Sequence, residues 1–84
     1  MMLFLIDYDR RAGKLVTMRA FDDSQRAAAL EERLELELEY HRSRIDREVV
    51  LLEATNEDAI RKTHRRYFAD IAELAKLPPH AEVD

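Results

Sequence analysis

The feature that most constrains this chain is a long central stretch, AAALEERLELELEYHRSR at positions 27–44, that contains no glycine, proline or β-branched residue. Its main residues, Ala, Leu, Glu and Arg, are strong helix formers. Seven of its residues, LELELEY, alternate apolar and acidic side chains as a half-buried strand does. The helical period is sustained for much longer than this alternation, so we predict a long amphipathic helix. Six residues share its main stripe: Ala27, Leu30, Leu34, Leu38, His41 and Ile45.

Two larger side chains of the predicted helix lie outside this stripe. Leu36 and Tyr40 point almost opposite to it and form an i,i+4 pair near Ala29. If the main stripe packs on the core, this pair must face either solvent or a partner. We therefore expect Leu36 and Tyr40 to belong to a partner interface.

Three segments have the composition of strands. Residues 2–8, MLFLIDY, are apolar at consecutive positions, which predicts a strand covered on both faces. The chain's only glycine, Gly13, follows where a hairpin loop needs left-handed backbone, so residues 14–21 are the predicted return strand. Residues 47–54 form the third predicted strand, and its centre, residues 49–52, is again apolar on both faces.

A second helix is predicted over residues 55–77. Thr55 followed by Asp58 resembles a capping box, with Asp where Glu or Gln is usual. Pro78 and Pro79 end the helix, because proline lacks the amide that a helix interior needs. Five residues share its apolar stripe: Ile60, His64, Tyr67, Ile71 and Leu74.

The predicted order β-β-α-β-α closes most simply with the first strand in the middle of the sheet. This arrangement gives a three-stranded antiparallel sheet in the order 2-1-3, and a right-handed crossover places the two helices on one face. The predicted fold class is therefore α+β, a two-layer sandwich. We expect residues 1–77 to form a single domain and residues 78–84 to form a short flexible tail.

One layer of helices leaves part of this sheet uncovered. The third strand would be an edge with apolar side chains on both faces, and such edges pair with other chains. A chain of 84 residues has a small core and, without cysteine, no disulfides, so association is a route to stability. We therefore expect a homodimer joined through the open sheet face or this edge. The predicted interface residues are Leu36, Tyr40, Val50 and Leu52.

Composition and motifs narrow the class of protein. The formal net charge of −4 disfavours nucleic acid as a partner. The longest apolar run, residues 1–6, is much shorter than the roughly 20 residues of a membrane helix, and no basic segment precedes it. We therefore expect no membrane association and a cytoplasmic location. Without an HExxH motif, a glycine-rich phosphate loop or a cysteine, no metal or cofactor is expected and an enzyme is disfavoured.

The leading hypothesis is a small non-enzymatic protein-interaction or regulatory module that acts as a homodimer. One alternative is a small-molecule-binding protein or enzyme, because the predicted packing brings His41, His64 and Tyr67 into a pocket between helices and sheet. Another is nucleic-acid binding through a basic face of the second helix. We favour reading that face as a solvated helix exterior, because net acidity leaves little long-range attraction for phosphate. Its members are Arg61, Lys62, Arg65 and Arg66.

Overall fold

A computed structural model describes residues 1–68 of the chain. Its regular elements are β1 Met2–Asp9, β2 Lys14–Phe21, α1 Arg26–Ser43, β3 Glu48–Ala54 and α2 Glu57–Thr63, with 3-10 turns at Asp23–Gln25 and Arg65–Tyr67. The three strands form one antiparallel sheet in the order β2-β1-β3. The predicted α+β class, strand order and two helices are therefore confirmed. In the described part of the chain, no helix is long and apolar enough to cross a membrane.

The hairpin between β1 and β2 closes as the sequence predicts. Gly13 has a φ of 66°, and its amide donates to the carbonyl of Asp9 at 2.8 Å. The register of the two strands shifts after Asp7, which leaves Val16 as an extra residue in β2. Such a bulge bends the strand locally.

α1 covers the sheet face that carries Leu5, but the predicted orientation of this helix is wrong. Ala29 is fully buried and Leu36 packs on the same cluster, whereas Leu34 is 57% exposed. The helix therefore presents the face of Ala29, Leu36 and Tyr40 to the sheet, and its leucine stripe points outward. The small side chain of Ala29 leaves room for the helix to pack on the sheet, and the hydrogen bond from Tyr40 to Asp7 holds this rotation.

A second apolar cluster lies on the opposite face of the sheet. Tyr67, in the 3-10 turn after α2, packs there with Ile6 and Tyr8, and the two tyrosine rings meet edge to face with centroids 5.2 Å apart. Val50 and Leu52 are half-buried against this cluster. The 3-10 turn that carries Tyr67 therefore lies on the opposite face of the sheet from α1. The prediction had placed both helical segments on the same face.

The start of α2 differs by one residue from the predicted cap. Asn56, rather than Thr55, is the cap, and its side-chain oxygen accepts from the amide of Ala59 at 2.8 Å. Asn is as effective at this position as Ser or Asp and can satisfy one of the free amides of the first turn. Ile60 is fully buried and anchors the helix to the rest of the molecule.

α2 ends earlier than predicted, at Thr63, so the prediction of continuous helix is wrong for residues 64–68. His64, with φ −127° and ψ 52°, leaves the helical conformation. The hydroxyl of Thr63 donates to the carbonyl of Ala59 at 3.0 Å, a bond that bends helices. Breaking the helix here lets Tyr67 turn onto the sheet. The rest of the predicted helix and the predicted tail, residues 69–84, lie outside the described residues.

Candidate interaction surface

Large apolar side chains form a ridge along the outer face of α1. Leu30, Leu34 and Leu38 are 48%, 57% and 44% exposed, and their four-residue spacing places them in one row on a helix. We call these three residues the leucine ridge. Ala27 and His41 continue the row at its two ends and are also exposed. Contiguous exposed apolar surface of this kind marks interaction sites on small proteins.

Charged side chains border the leucine ridge on both sides. The helical period places Glu31, Glu35 and Arg42 on the flank nearer β2. On the other flank, Nε of Arg33 lies 2.7 Å from Oε1 of Glu37. Each flank therefore carries both signs of charge, so the ridge has the apolar centre and polar rim of a protein interface.

Polar side chains attach the inner face of α1 to every strand of the sheet. The contacts are an ion pair of Arg26 with Glu53 of β3, another of Glu32 with Arg19 of β2, and a hydrogen bond from Tyr40 to Asp7 of β1. The exposed ion pairs add little stability singly. Together with the buried apolar contacts they hold one rotation of the helix, in which the leucine ridge points away from the sheet.

A buried carboxylate lies beneath the C-terminal end of α1. Asp7 is 3% exposed, accepts a hydrogen bond from the hydroxyl of Tyr40, and has Nη1 of Arg47 3.3 Å from each carboxylate oxygen. Burial, followed by the hydrogen bond to Asp7, raises the pKa of Tyr40. This buried group is not among the residues predicted from the sequence. Its signal was an aspartate inside the apolar run of residues 2–8, at a position where both strand faces were expected to be covered.

A groove of about 870 Å³ lies beside the leucine ridge, between α1 and β2. Leu36 contributes to its floor and Leu38 belongs to both the groove and the ridge. Thr17 and Arg19 border it on the strand side. The groove therefore extends the exposed apolar surface of the ridge towards β2.

The four predicted interface residues lie in two separate places, and none of them is fully exposed. Leu36 and Tyr40 are half-buried between α1 and the sheet, where Leu36 joins the apolar cluster and Tyr40 binds Asp7. Val50 and Leu52 are half-buried on the opposite face. Contact of these four residues with a partner stays a prediction, but the three leucines of the ridge are each more exposed than any of the four.

The predicted pocket of His41, His64 and Tyr67 is not assembled. The ring of His64 stacks near Tyr67, with centroids 6.5 Å apart, and Tyr67 packs on the sheet face opposite α1. His41 lies on α1, so the two histidines do not meet. The reason is the reversed rotation of α1 together with the break after Thr63.

The basic residues of the second helical segment mostly pair with nearby carboxylates. The closest nitrogen–oxygen distances are 2.9 Å for Arg61 and Glu57, 3.2 Å for Lys62 and Asp58, and 2.6 Å for Arg66 and Glu48. Arg65 lies in the 3-10 turn. The hydrogen bond from Arg66, and then that from Tyr67, lowers the pKa of Glu48. These pairs leave a largely neutralised surface in place of the predicted basic face.

Within residues 1–68, no group of three or more His, Asp or Glu side chains is arranged to hold a metal ion. Comparison with protein-family models, with curated proteins and with solved structures gave no match for this chain. Among the described residues, the leucine ridge is the surface feature that best indicates a function.

Proposed function

We propose that this protein is a small cytoplasmic, non-enzymatic interaction module that acts as a homodimer through the leucine ridge of α1. The observation that carries the proposal is the ridge itself, three leucines each about half exposed on the longest helix of the described residues. Removing apolar surface from water stabilises a complex by roughly 25 cal/mol per Å². A symmetric pair of identical chains is the commonest closed way to achieve that cover.

The ridge supports this role better than the sheet does. Val50 and Leu52 of β3 already pack against the cluster around Tyr67, so a partner would gain less by covering them. The leucines of the ridge have no such cover among the described residues. The dimer that the sequence predicts is therefore proposed to form through α1 rather than through the open sheet face or the β3 edge.

The test is a Leu34→Glu variant measured by light scattering after size-exclusion chromatography at tens of micromolar protein. We expect the unmodified chain to have the mass of two copies and the variant to have the mass of one. Leu34 is the most exposed residue of the ridge, so a charge there leaves the fold of one copy intact and opposes burial in the pair. Circular dichroism checks the fold.

A matched control places the same charge on another exposed apolar residue. Val16, in the bulge of β2, is 43% exposed, and Val16→Glu is expected to keep the mass of two copies. The proposal is overturned if the unmodified chain has the mass of one copy, or if Leu34→Glu remains a folded dimer. Should Leu34→Glu lose its helical signal, Leu34→Gln takes its place with the same expected and contrary outcomes.

A further inference from the structure

We infer that one end of the sheet, which we call the hairpin end, binds an extended acidic segment of another protein. This inference rests on the proposed interaction role, but it does not need the homodimer. The hairpin end consists of residues 7–14, which include the β1–β2 loop, and residues 42–47, which lead from α1 into β3. Antiparallel pairing of Tyr8 with Glu48 places the start of β3 beside the end of β1, so these two stretches meet.

Positive charge is concentrated at the hairpin end, although the chain as a whole has a net charge of −4. Its two stretches contain six basic residues and three aspartates. Each aspartate already has a partner within this end: Asp7 pairs with Arg47, Asp46 pairs with Arg10, and Asp9 accepts from the amides of residues 11 and 12. The excess of positive charge is therefore not cancelled locally.

Four basic side chains of the hairpin end are exposed and form no ion pair with a carboxylate of residues 1–68: Arg11, Lys14, Arg42 and Arg44. By contrast, Arg61 and Lys62 of α2 are both paired. Unpaired positive charge at one end of a molecule attracts anionic groups. Three of these four residues are arginines, whose planar guanidinium can bind both oxygens of a carboxylate.

A cleft of about 600 Å³ opens within the hairpin end, between the β1–β2 loop and the segment before β3. Arg11 and Arg44 line it from these two sides, together with Ile45. The side chain of Ile45 is 44% exposed and also lines an adjoining cleft of about 400 Å³ next to Tyr40 and His41. An exposed apolar side chain surrounded by cations suits a segment that carries both acidic and apolar residues.

The backbone of Arg44 supplies a second observation. Its φ of 55° and ψ of 40° are left-handed, and among the described residues it is the only one besides glycine with a positive φ. Glycine or asparagine usually ends a helix in this conformation, because a Cβ is strained there. An arginine in this position, with no ion pair inside residues 1–68, indicates that its side chain serves binding rather than the fold.

The distribution of the cations favours a polypeptide over other anions. Lys14 begins β2 and Arg42 lies in the last turn of α1, so the unpaired cations come from separate elements. A compact phosphate would reach only those that line the cleft. A long nucleic acid would extend over the rest of the molecule, where acidic residues outnumber basic ones. An extended acidic segment can place carboxylates at several of the cations and stop at the hairpin end.

The test uses a fluorescein-labelled pool of short peptides in which Asp or Glu alternates with mixed apolar residues. We expect fluorescence anisotropy to show binding to the unmodified chain that weakens as salt is added. A matched pool with Lys in place of the acidic residues should not bind. Arg44→Gly should weaken binding about fivefold, roughly the effect of losing one exposed ion pair. Its Tm should be unchanged or higher, because glycine suits the left-handed position.

Three further variants serve as controls. Arg44→Lys keeps both the charge and the strained backbone, so it should bind better than Arg44→Gly. Lys62→Gln removes one exposed positive charge from α2, and Leu34→Glu alters the leucine ridge; each should bind the acidic pool as tightly as the unmodified chain. Should Arg44→Gly lower the Tm, Arg44→Asn takes its place with the same expected and contrary outcomes.

Four results would overturn the inference. The first two are no binding of the acidic pool at low salt, and equal binding by Arg44→Gly and the unmodified chain. The third is tighter binding of single-stranded DNA or inorganic phosphate than of the acidic pool. The fourth is a mass above two copies at low salt, which would mean that the hairpin end takes acidic residues of another copy. Failure of the homodimer is distinguishable, because it changes the mass of the unmodified chain and leaves the peptide binding unchanged.

Discussion

At the scale of single residues, Asp7 helps to decide which surface is left for a partner, because it is buried and bonded to Tyr40 of α1. A buried carboxylate without partners would cost several kcal/mol, roughly 3–5 when a paired one loses its partner. Tyr40 and Arg47 supply those partners, and Tyr40 belongs to the inner face of α1. The helix cannot rotate to bury its leucine ridge without withdrawing Tyr40 from Asp7. The buried hydrogen bond from Tyr40 to Asp7 thereby keeps the leucine ridge exposed.

The lowered pKa of Glu48 predicts how the stability of the fold depends on pH. Its pKa is lowered in the folded protein, chiefly by the hydrogen bond from Arg66, so its contribution is present above the usual glutamate pKa of about 4.3 and is lost as pH falls through the lower folded value. Since Arg66 is half exposed, we expect Glu48→Gln to lower the free energy of unfolding at pH 7 by only about 1 kcal/mol. Urea denaturation at pH 7 and pH 3 measures this difference.

The difference between Glu48→Gln and the unmodified chain should be smaller at pH 3, below the usual glutamate pKa, than at pH 7, because part of the contribution of the Glu48 charge is lost there. Asp46→Asn is the matched control, because Asp46 and Arg10 form a pair that is about half exposed on both sides. That pair should contribute little at either pH. An equal loss for Glu48→Gln at both pH values would contradict the assigned role of its charge.

At the scale of elements, composition and local signals predict most of the framework. The absence of helix breakers predicts α1, and Gly13 and the apolar run of residues 2–8 predict the hairpin and the central strand. The rotation of α1 was not predictable from its period, because the helix is apolar on two faces. The row of leucines looked like the buried one, yet the sheet accepts the face where Ala29 permits close approach. The sequence therefore identifies the ridge residues but predicts the wrong side of the helix for burial.

The end of α2 was unpredictable for a different reason. Helix propensity continues through the residues after Thr63, but burial of Tyr67 against Tyr8 and Ile6 requires a turn. This tertiary contact overrides the local preference for helix. The helical period of the sequence carries no information about such a contact.

The rotation of α1 predicts losses of stability of very different size at two neighbouring positions. Ala29→Leu should lower the free energy of unfolding by about 1–3 kcal/mol, because a larger side chain has no room between helix and sheet. Leu30→Ala should lower it by well under 1 kcal/mol in one copy, since Leu30 is 48% exposed. Both changes are measured by urea denaturation in the Leu34→Glu background, which removes contacts between copies. A larger loss for Leu30→Ala than for Ala29→Leu would mean that the ridge is the buried face.

At the scale of the whole molecule, the described fold divides its apolar residues among three surfaces. One cluster lies under α1, a second lies around Tyr67 on the other sheet face, and the leucine ridge lies outside both. Only the thin sheet separates the two clusters, and the molecule measures 13 Å along its shortest axis. A chain with such shallow cores gains proportionately more than a thick one by burying a further apolar row against a second copy.

Burial of the leucine ridge between two copies predicts that thermal stability rises with protein concentration. If unfolding and separation of the copies occur together, mass action should raise the Tm by about 4 °C for each tenfold increase in concentration, given the usual unfolding entropy of two chains of this size. Scanning calorimetry over a hundredfold range measures that slope. Leu34→Glu should show a lower Tm with no slope, because its single copies unfold without dissociating. A Tm of the unmodified chain that did not change with concentration would mean that burial of the leucine ridge contributes nothing to folding.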